Sequence, residues 1–208
     1  MKIAVIGASG RTGREVVREA QARGHHVTAV VRRPDRLGGV RTDAVAVADA
    51  RDVGRLAESL SGADAVVSCV GPVKGEPRDV QARAAEALVE AAHRAGVRRL
   101  VALSASGWVV DGDDPLSRYL AKPVLARVLR EENAAFAATE AVVAASGLDW
   151  TLVRPPMLQD GKARGAYRSR TDGNVRWHYS IRRADLASAV VDLVEEPAAV
   201  RATVSVSA

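Results

Sequence analysis

The stretch Val5-Ile6-Gly7-Ala8-Ser9-Gly10-Arg11-Thr12-Gly13 decides the fold. An apolar run from Lys2 to Ile6 leads into three glycines spaced G-x-x-G-x-x-G, and a helical pattern follows. A lone glycine triplet also fits an ordinary tight turn. Placed between a strand and a helix, it reads as a phosphate cradle. The backbone must turn sharply there, and a Cβ on Gly7 or Gly10 would hold a pyrophosphate away from the amides. The free N–H groups and positive end of the next helix favour a dianion. The expectation is a dinucleotide site.

Residues 14–23 carry Val16, Val17 and Ala20 on one helical face, and Gly24 closes that helix. Strands are expected at 26–31, 43–48, 64–69 and 100–103, with a helix at 53–60. A longer helix is lined by Ala82, Ala85, Leu88, Val89 and Ala92 and ended by Gly96. The strands read as continuous apolar runs, the pattern of a parallel sheet covered on both faces. Beyond residue 108 the pattern loosens. A loop at 108–115, helices at 124–129 and 131–145, and strands at 150–153, 166–169 and 202–206 are expected, with a last helix at 184–194. The fold class is α/β, a Rossmann-type doubly wound parallel sheet, with residues 1–208 as a single domain. Segments at about 105–123 and 155–182 would form a small substrate lobe.

Composition narrows the functional classes. Cys69 is the only cysteine, which excludes an intramolecular disulfide and a cysteine-cluster metal site and fits a reducing, cytoplasmic setting. The four histidines show no metal-ligand spacing. The first apolar stretch is too short for a signal peptide, and no run reaches the roughly 18 residues of a membrane span. The net charge is +5, yet only Lys2, Lys74, Lys122 and Lys162 are lysine, and the arginines are scattered among 25 acids. That is a solvated mixed-charge surface rather than a nucleic-acid stripe. The expected partner is a small molecule, with the chain a monomer or small homo-oligomer. All seven aromatics, Trp108, Tyr119, Phe136, Trp150, Tyr167, Trp177 and Tyr179, fall in the second half, where a substrate pocket would be built. Phe136 and Trp150 read as core.

The end of the second strand bears on the choice of dinucleotide. An acid there suits a ribose 2′-OH, an arginine a 2′-phosphate. The chain reads Val31-Arg32-Arg33-Pro34-Asp35-Arg36. Asp35 lies beyond the strand after a proline, so Arg32 and Arg36 are expected to face a phosphate and to favour NADP(H) over NAD(H). Asp49-Ala50 follows the third strand, where an acid can accept from an adenine amino group or cap a helix, a role open equally to Asp52. Val70-Gly71 ends the fourth strand, and Gly71 would let the backbone pass close to the dinucleotide.

The glycine stretch, the Val31-Arg32 strand tip and Ser146-Gly147-Leu148-Asp149-Trp150-Thr151-Leu152-Val153-Arg154-Pro155 resemble the atypical short-chain dehydrogenases. The nearest branch is the NAD(P)H-binding, NmrA-like group that includes biliverdin/flavin reductase, and Ile181 to Ala187 matches a late segment of it. The resemblance spans essentially the whole chain and implies a residue-by-residue site. The pyrophosphate would lie at Gly7, Ser9, Gly10, Arg11, Thr12 and Gly13, and the 2′-phosphate at Arg32 and Arg36. The adenine would lie at Asp49 and Ala50. Ribose and nicotinamide would pass Val70, Gly71, Leu103 and Ser104, and the Pro155-Pro156-Met157-Leu158 turn would present backbone to the nicotinamide amide.

The catalytic match is thinner. Short-chain dehydrogenases use Tyr-x-x-x-Lys, and this chain offers Tyr119-Leu120-Ala121-Lys122, one residue short and followed by Pro123, which disfavours a helix at Lys122. Tyr119 is the candidate proton donor, Lys122 its partner, and Ser104 a candidate hydroxyl for a substrate oxygen. The implied activity is an NADPH-dependent reductase passing hydride to a carbonyl, quinone, imine, flavin or tetrapyrrole-like acceptor held among Trp108, Tyr119, Met157 and Trp177. The alternatives are an epimerase or isomerase with retained NADP, and a non-catalytic NADP-sensing protein.

Overall fold

β1 (Lys2–Ile6) lies inside an eight-stranded sheet because both its faces are apolar: Ile3 and Val5 enter one core, Ala4 and Ile6 the other. The computed structural model describes residues 1–71, 80–107, 130–171 and 173–208. β2 (His26–Val31), β3 (Ala44–Val47), β4 (Ala65–Ser68), β5 (Arg99–Leu103), β6 (Asp149–Arg154), β8 (Arg168–Thr171) and β10 (Ala202–Ser207) complete the sheet. Its order is β3-β2-β1-β4-β5-β6-β10-β8, and all pairs are parallel except β10 with β8. This is the expected doubly wound α/β arrangement, with one antiparallel edge strand added.

α1 (Arg11–Ala22) and α5 (Arg183–Glu195) pack together on one face of the sheet. α2 (Val53–Leu60), α3 (Val80–Ala95) and α4 (Arg130–Ala144) cover the other. Val16, Val17 and Ala20 are fully buried on α1, as their spacing predicts. At about 25 cal/mol per Å² of apolar surface, each such valine contributes roughly 1.5 kcal/mol or more. Trp150 packs against the α2–α4 core.

Two local readings change and one open choice is resolved. α1 begins at Arg11 rather than residue 14, because Gly10 takes the extended N-cap conformation (φ −70°, ψ 160°) and frees the following residues to coil. Asp52, not Asp49, caps α2, its Oδ1 accepting from the Arg55 amide at 3.1 Å. The expected turn at 155–158 gives way to a strand from Met157: β7 (Met157–Gln159) pairs in parallel with β9 (Ser180–Arg182). Neither segment shows its pairing in sequence, since three residues are too few for a period and their register is set by a partner more than twenty residues away. β8 carries Arg-Ser-Arg-Thr with no buried residue and is ordered by its ladder to β10. The expected loop at 108–115 and helix at 124–129 lie outside the described residues, as do Trp108, Tyr119 and Lys122.

Candidate functional site

The three glycines do three different things. Gly7 sits at φ +76°, and a Cβ there would lie 3.1 Å from the Cys69 carbonyl oxygen on β4's exit. The Gly10 amide donates to the Gly7 carbonyl at 2.9 Å, which closes the turn. Gly13 faces inward: its Cβ would lie 2.3 Å from the Gly7 oxygen and 2.9 Å from Ala8 Cα, so it lets α1 press onto the turn. No side chain caps α1 and no acid occupies its first turn, which leaves its positive end open to an anion.

That end opens into a cleft of about 480 Å³ at the carboxyl ends of the parallel strands, where the strand order reverses between β1 and β4. A doubly wound sheet binds ligands at this switch point. Gly7, Ser9, Gly10, Arg11 and Thr12 line it on one side, Arg32, Asp49 and Ala50 at the β2–β3 end, and Val70, Gly71 and Leu158 opposite. The cradle that a Cβ on Gly7 would invade and the uncapped helix end both fit a dinucleotide's pyrophosphate.

Several expected residues lie elsewhere. Arg36 falls on a 3₁₀ turn (Pro34–Leu37), where its carbonyl accepts from Arg14 Nη2 at 2.5 Å, and it does not line the cleft. Leu103, Pro155 and Pro156 are not lining residues either. The Pro155 carbonyl accepts from the Ser106 amide at 2.9 Å, and the Met157 amide donates to the Tyr179 carbonyl at 3.2 Å, so this backbone is used within the fold. Strand alternation turns Leu158 into the cleft and Met157 out, leaving Met157 64 % exposed. Trp177 is also largely exposed and adopts φ +62°.

Ser104 is buried, and its hydroxyl donates to Glu140 Oε1 at 2.6 Å, while Glu140 is held by Arg154. A hydroxyl whose proton is committed to a carboxylate does not offer that proton to a substrate oxygen.

The sequence reading missed Arg51, Arg183 and Cys69, all of which line the cleft. Arg51 grips Asp49 through Nε to Oδ1 (2.9 Å), Nη2 to Oδ2 (3.1 Å) and its own amide to Oδ1 (3.0 Å). Arg32 Nη1 lies 3.8 Å from the same carboxylate. These hydrogen bonds from Arg51, with the nearby charge of Arg32, hold the Asp49 carboxyl below the usual range. The carboxylate expected to meet adenine therefore holds two guanidiniums together. An arginine two residues after Asp49 was the available signal. Cys69 packs against the α1–α5 core, and burial pushes its thiol up to about 12.

No cluster of histidine, cysteine and carboxylates able to hold a metal occurs among the described residues, and none of their helices is long and apolar enough to cross a membrane. The family model for NAD(P)H-binding matches residues 7–197. The chain is 31% identical over 204 residues to the uncharacterized protein YwnB of Bacillus subtilis, covering 95% of this chain and 93% of that one. It is 34% identical over 173 residues to a Streptomyces 3-diazoavenalumate denitrifying reductase, covering 74% of this chain and 55% of that one. A Streptococcus pneumoniae structure described as a candidate NADH-flavin reductase superposes with TM-score 0.83 at 25% identity, covering 100% of this chain and 99% of that one. The glycine cradle, its switch-point cleft and these relatives agree: the chain belongs to the NAD(P)H-binding family and shares the fold of the atypical short-chain dehydrogenases.

Proposed function

We propose that the protein is an NADPH-dependent reductase that passes hydride to a small carbonyl, quinone, imine, flavin or tetrapyrrole-like acceptor in the cytoplasm. The observation that carries the choice of cofactor is the Arg32–Asp49–Arg51 group at the adenosine end of the cleft. Two guanidiniums gathered on one carboxylate at this end of the cleft present planar, charged donors of the kind that suits a 2′-phosphate. NADPH, when bound, supplies the hydride. The chain's own residues hold it: the glycine turn and α1 the pyrophosphate, Arg32 and Arg51 the 2′-phosphate, and Val70, Gly71 and Leu158 the wall beyond. The lobe for the acceptor is assigned to the segments at about 105–123, with Trp108 and Tyr119, and 155–182, with Met157 and Trp177 on the exposed side of the latter.

The test is oxidation of NADPH and NADH, followed by nicotinamide absorbance, against quinones, flavins, biliverdin, imines and aldehydes. Loss of one charge-assisted contact costs about 1.5–3 kcal/mol, so Arg32→Gln and Arg51→Gln should each weaken NADPH roughly tenfold or more while leaving NADH nearly unchanged. Equal rates with both nucleotides would overturn the NADPH assignment. A second reading, sensing of NADP without turnover, is favoured by the commitment of the Ser104 hydroxyl to Glu140. It predicts NADP affinity with no oxidation against any acceptor in the panel. Retained NADP with substrate isomerised and no net NADPH consumption would mark the epimerase alternative.

A further inference from the structure

Arg183 is the first residue of α5, and its side chain lines the dinucleotide cleft while only 10 % exposed. Its Nη1 donates to Asp160 Oδ1 at 2.6 Å. The other oxygen of that carboxylate accepts from Nη1 of Arg11, the first residue of α1, at 3.1 Å. Asp160 thus bridges the opening residues of two helices at the mouth of the cleft. It is itself 66 % exposed.

We propose that Asp160 is an internal anion occupying the seat that Arg11 and Arg183 offer to the dinucleotide's pyrophosphate, and that Arg183 becomes a direct phosphate ligand when it is displaced. This rests on the NAD(P)H-binding reading of the cleft. Two guanidiniums carry ten N–H donors between them, and Asp160 engages one from each. A dianion beside the uncapped end of α1 can engage more of them and meets twice the charge. The costs of exchange are unequal. Asp160 is already mostly in water, and its pair with Arg11, exposed on both sides, gives up little when it separates. Arg183 is nine-tenths buried and gains from whichever anion binds it better.

The exchange needs only rotation of the Asp160 side chain. The segment after it stays anchored: Arg182 Nη1 donates to the Lys162 carbonyl at 2.6 Å, and the Arg164 and Gly165 amides donate to Asp185 Oδ1 at 2.8 and 3.0 Å.

Calorimetric binding of ADP and of adenosine to the whole chain tests this, with NADP⁺ alongside. Asp160→Asn keeps the shape and removes the competing charge. It is expected to tighten ADP and NADP⁺ by about two- to fivefold, with adenosine unchanged. Arg183→Gln is expected to weaken ADP by about tenfold with adenosine again unchanged. If D160N leaves ADP affinity unchanged or lowers it, Asp160 is a brace for Arg183 and the proposal is overturned; unchanged ADP binding by folded R183Q overturns it equally. Asp160 is exposed, so the D160N arm decides the question alone if R183Q does not fold. Failure of both the wild type and D160N to bind ADP and NADP⁺ would instead remove the dinucleotide reading beneath it.

Discussion

The Ser104 hydroxyl and the Glu140 carboxylate are locked together at 2.6 Å, joining the carboxyl end of β5 to α4. Arg154 closes the lock from β6 through Nε at 2.8 Å and Nη2 at 2.5 Å. Both members of the ion pair are largely buried, so removing one strands the other's charge. Glu140→Ala is expected to destabilise the protein by about 3 kcal/mol, read from urea denaturation. Ser104→Ala should cost nearer 1 kcal/mol and shift NADP⁺ affinity little. A large loss of affinity with stability intact would return Ser104 to the binding site.

The glycines of the cradle differ in what they tolerate. Gly13→Ala places a Cβ 2.3 Å from a backbone oxygen that has no room to retreat, and is expected to cost about 3 kcal/mol. Gly24→Ala meets nothing within 4 Å and bears only the strain of φ +81°, about 1 kcal/mol. Thermal melts of the two variants should separate them by several degrees, with G13A the lower.

Cys69 borders the cleft as a poorly ionised thiol. With its thiol pushed up to about 12, the thiolate fraction at pH 8 is about one in ten thousand. Disulfide reagents should therefore label the native protein slowly and the urea-unfolded protein at once. Rapid native labelling would show an open route to an ionised sulfur.

Alkaline pH should find a weak point at Tyr167. Burial, and then the hydrogen bond from its hydroxyl to Asp192 Oδ2 at 2.5 Å, raise the phenol well above its ordinary value. A folded-state pKa above the unfolded value of about 10 means the stabilisation is complete below pH 10 and is lost as the pH climbs beyond it. Tyr167→Phe should be less stable than the wild type at neutral pH and should lose stability less steeply above about pH 10. Denaturation midpoints measured across that range check the sign.

The sheet, its two covered faces and the glycine cradle were legible in the chain because each depends on local rules. Apolar runs of five or six residues specify buried strands, Val16, Val17 and Ala20 specify a helix face, and only glycine fits φ +76° against the Cys69 carbonyl. Arg32 could be found at a strand tip for the same reason. Tertiary structure decided what the polar side chains do. Asp49, expected at the adenine, also anchors Arg51, and Ser104 bonds Glu140, 36 residues away. Asp160 met Arg11 across 149 residues of chain. Apolar burial is nondirectional and leaves a periodic trace in sequence. A hydrogen bond depends on direction over a few tenths of an ångström, and which donor reaches which carboxylate is settled only when distant segments have packed.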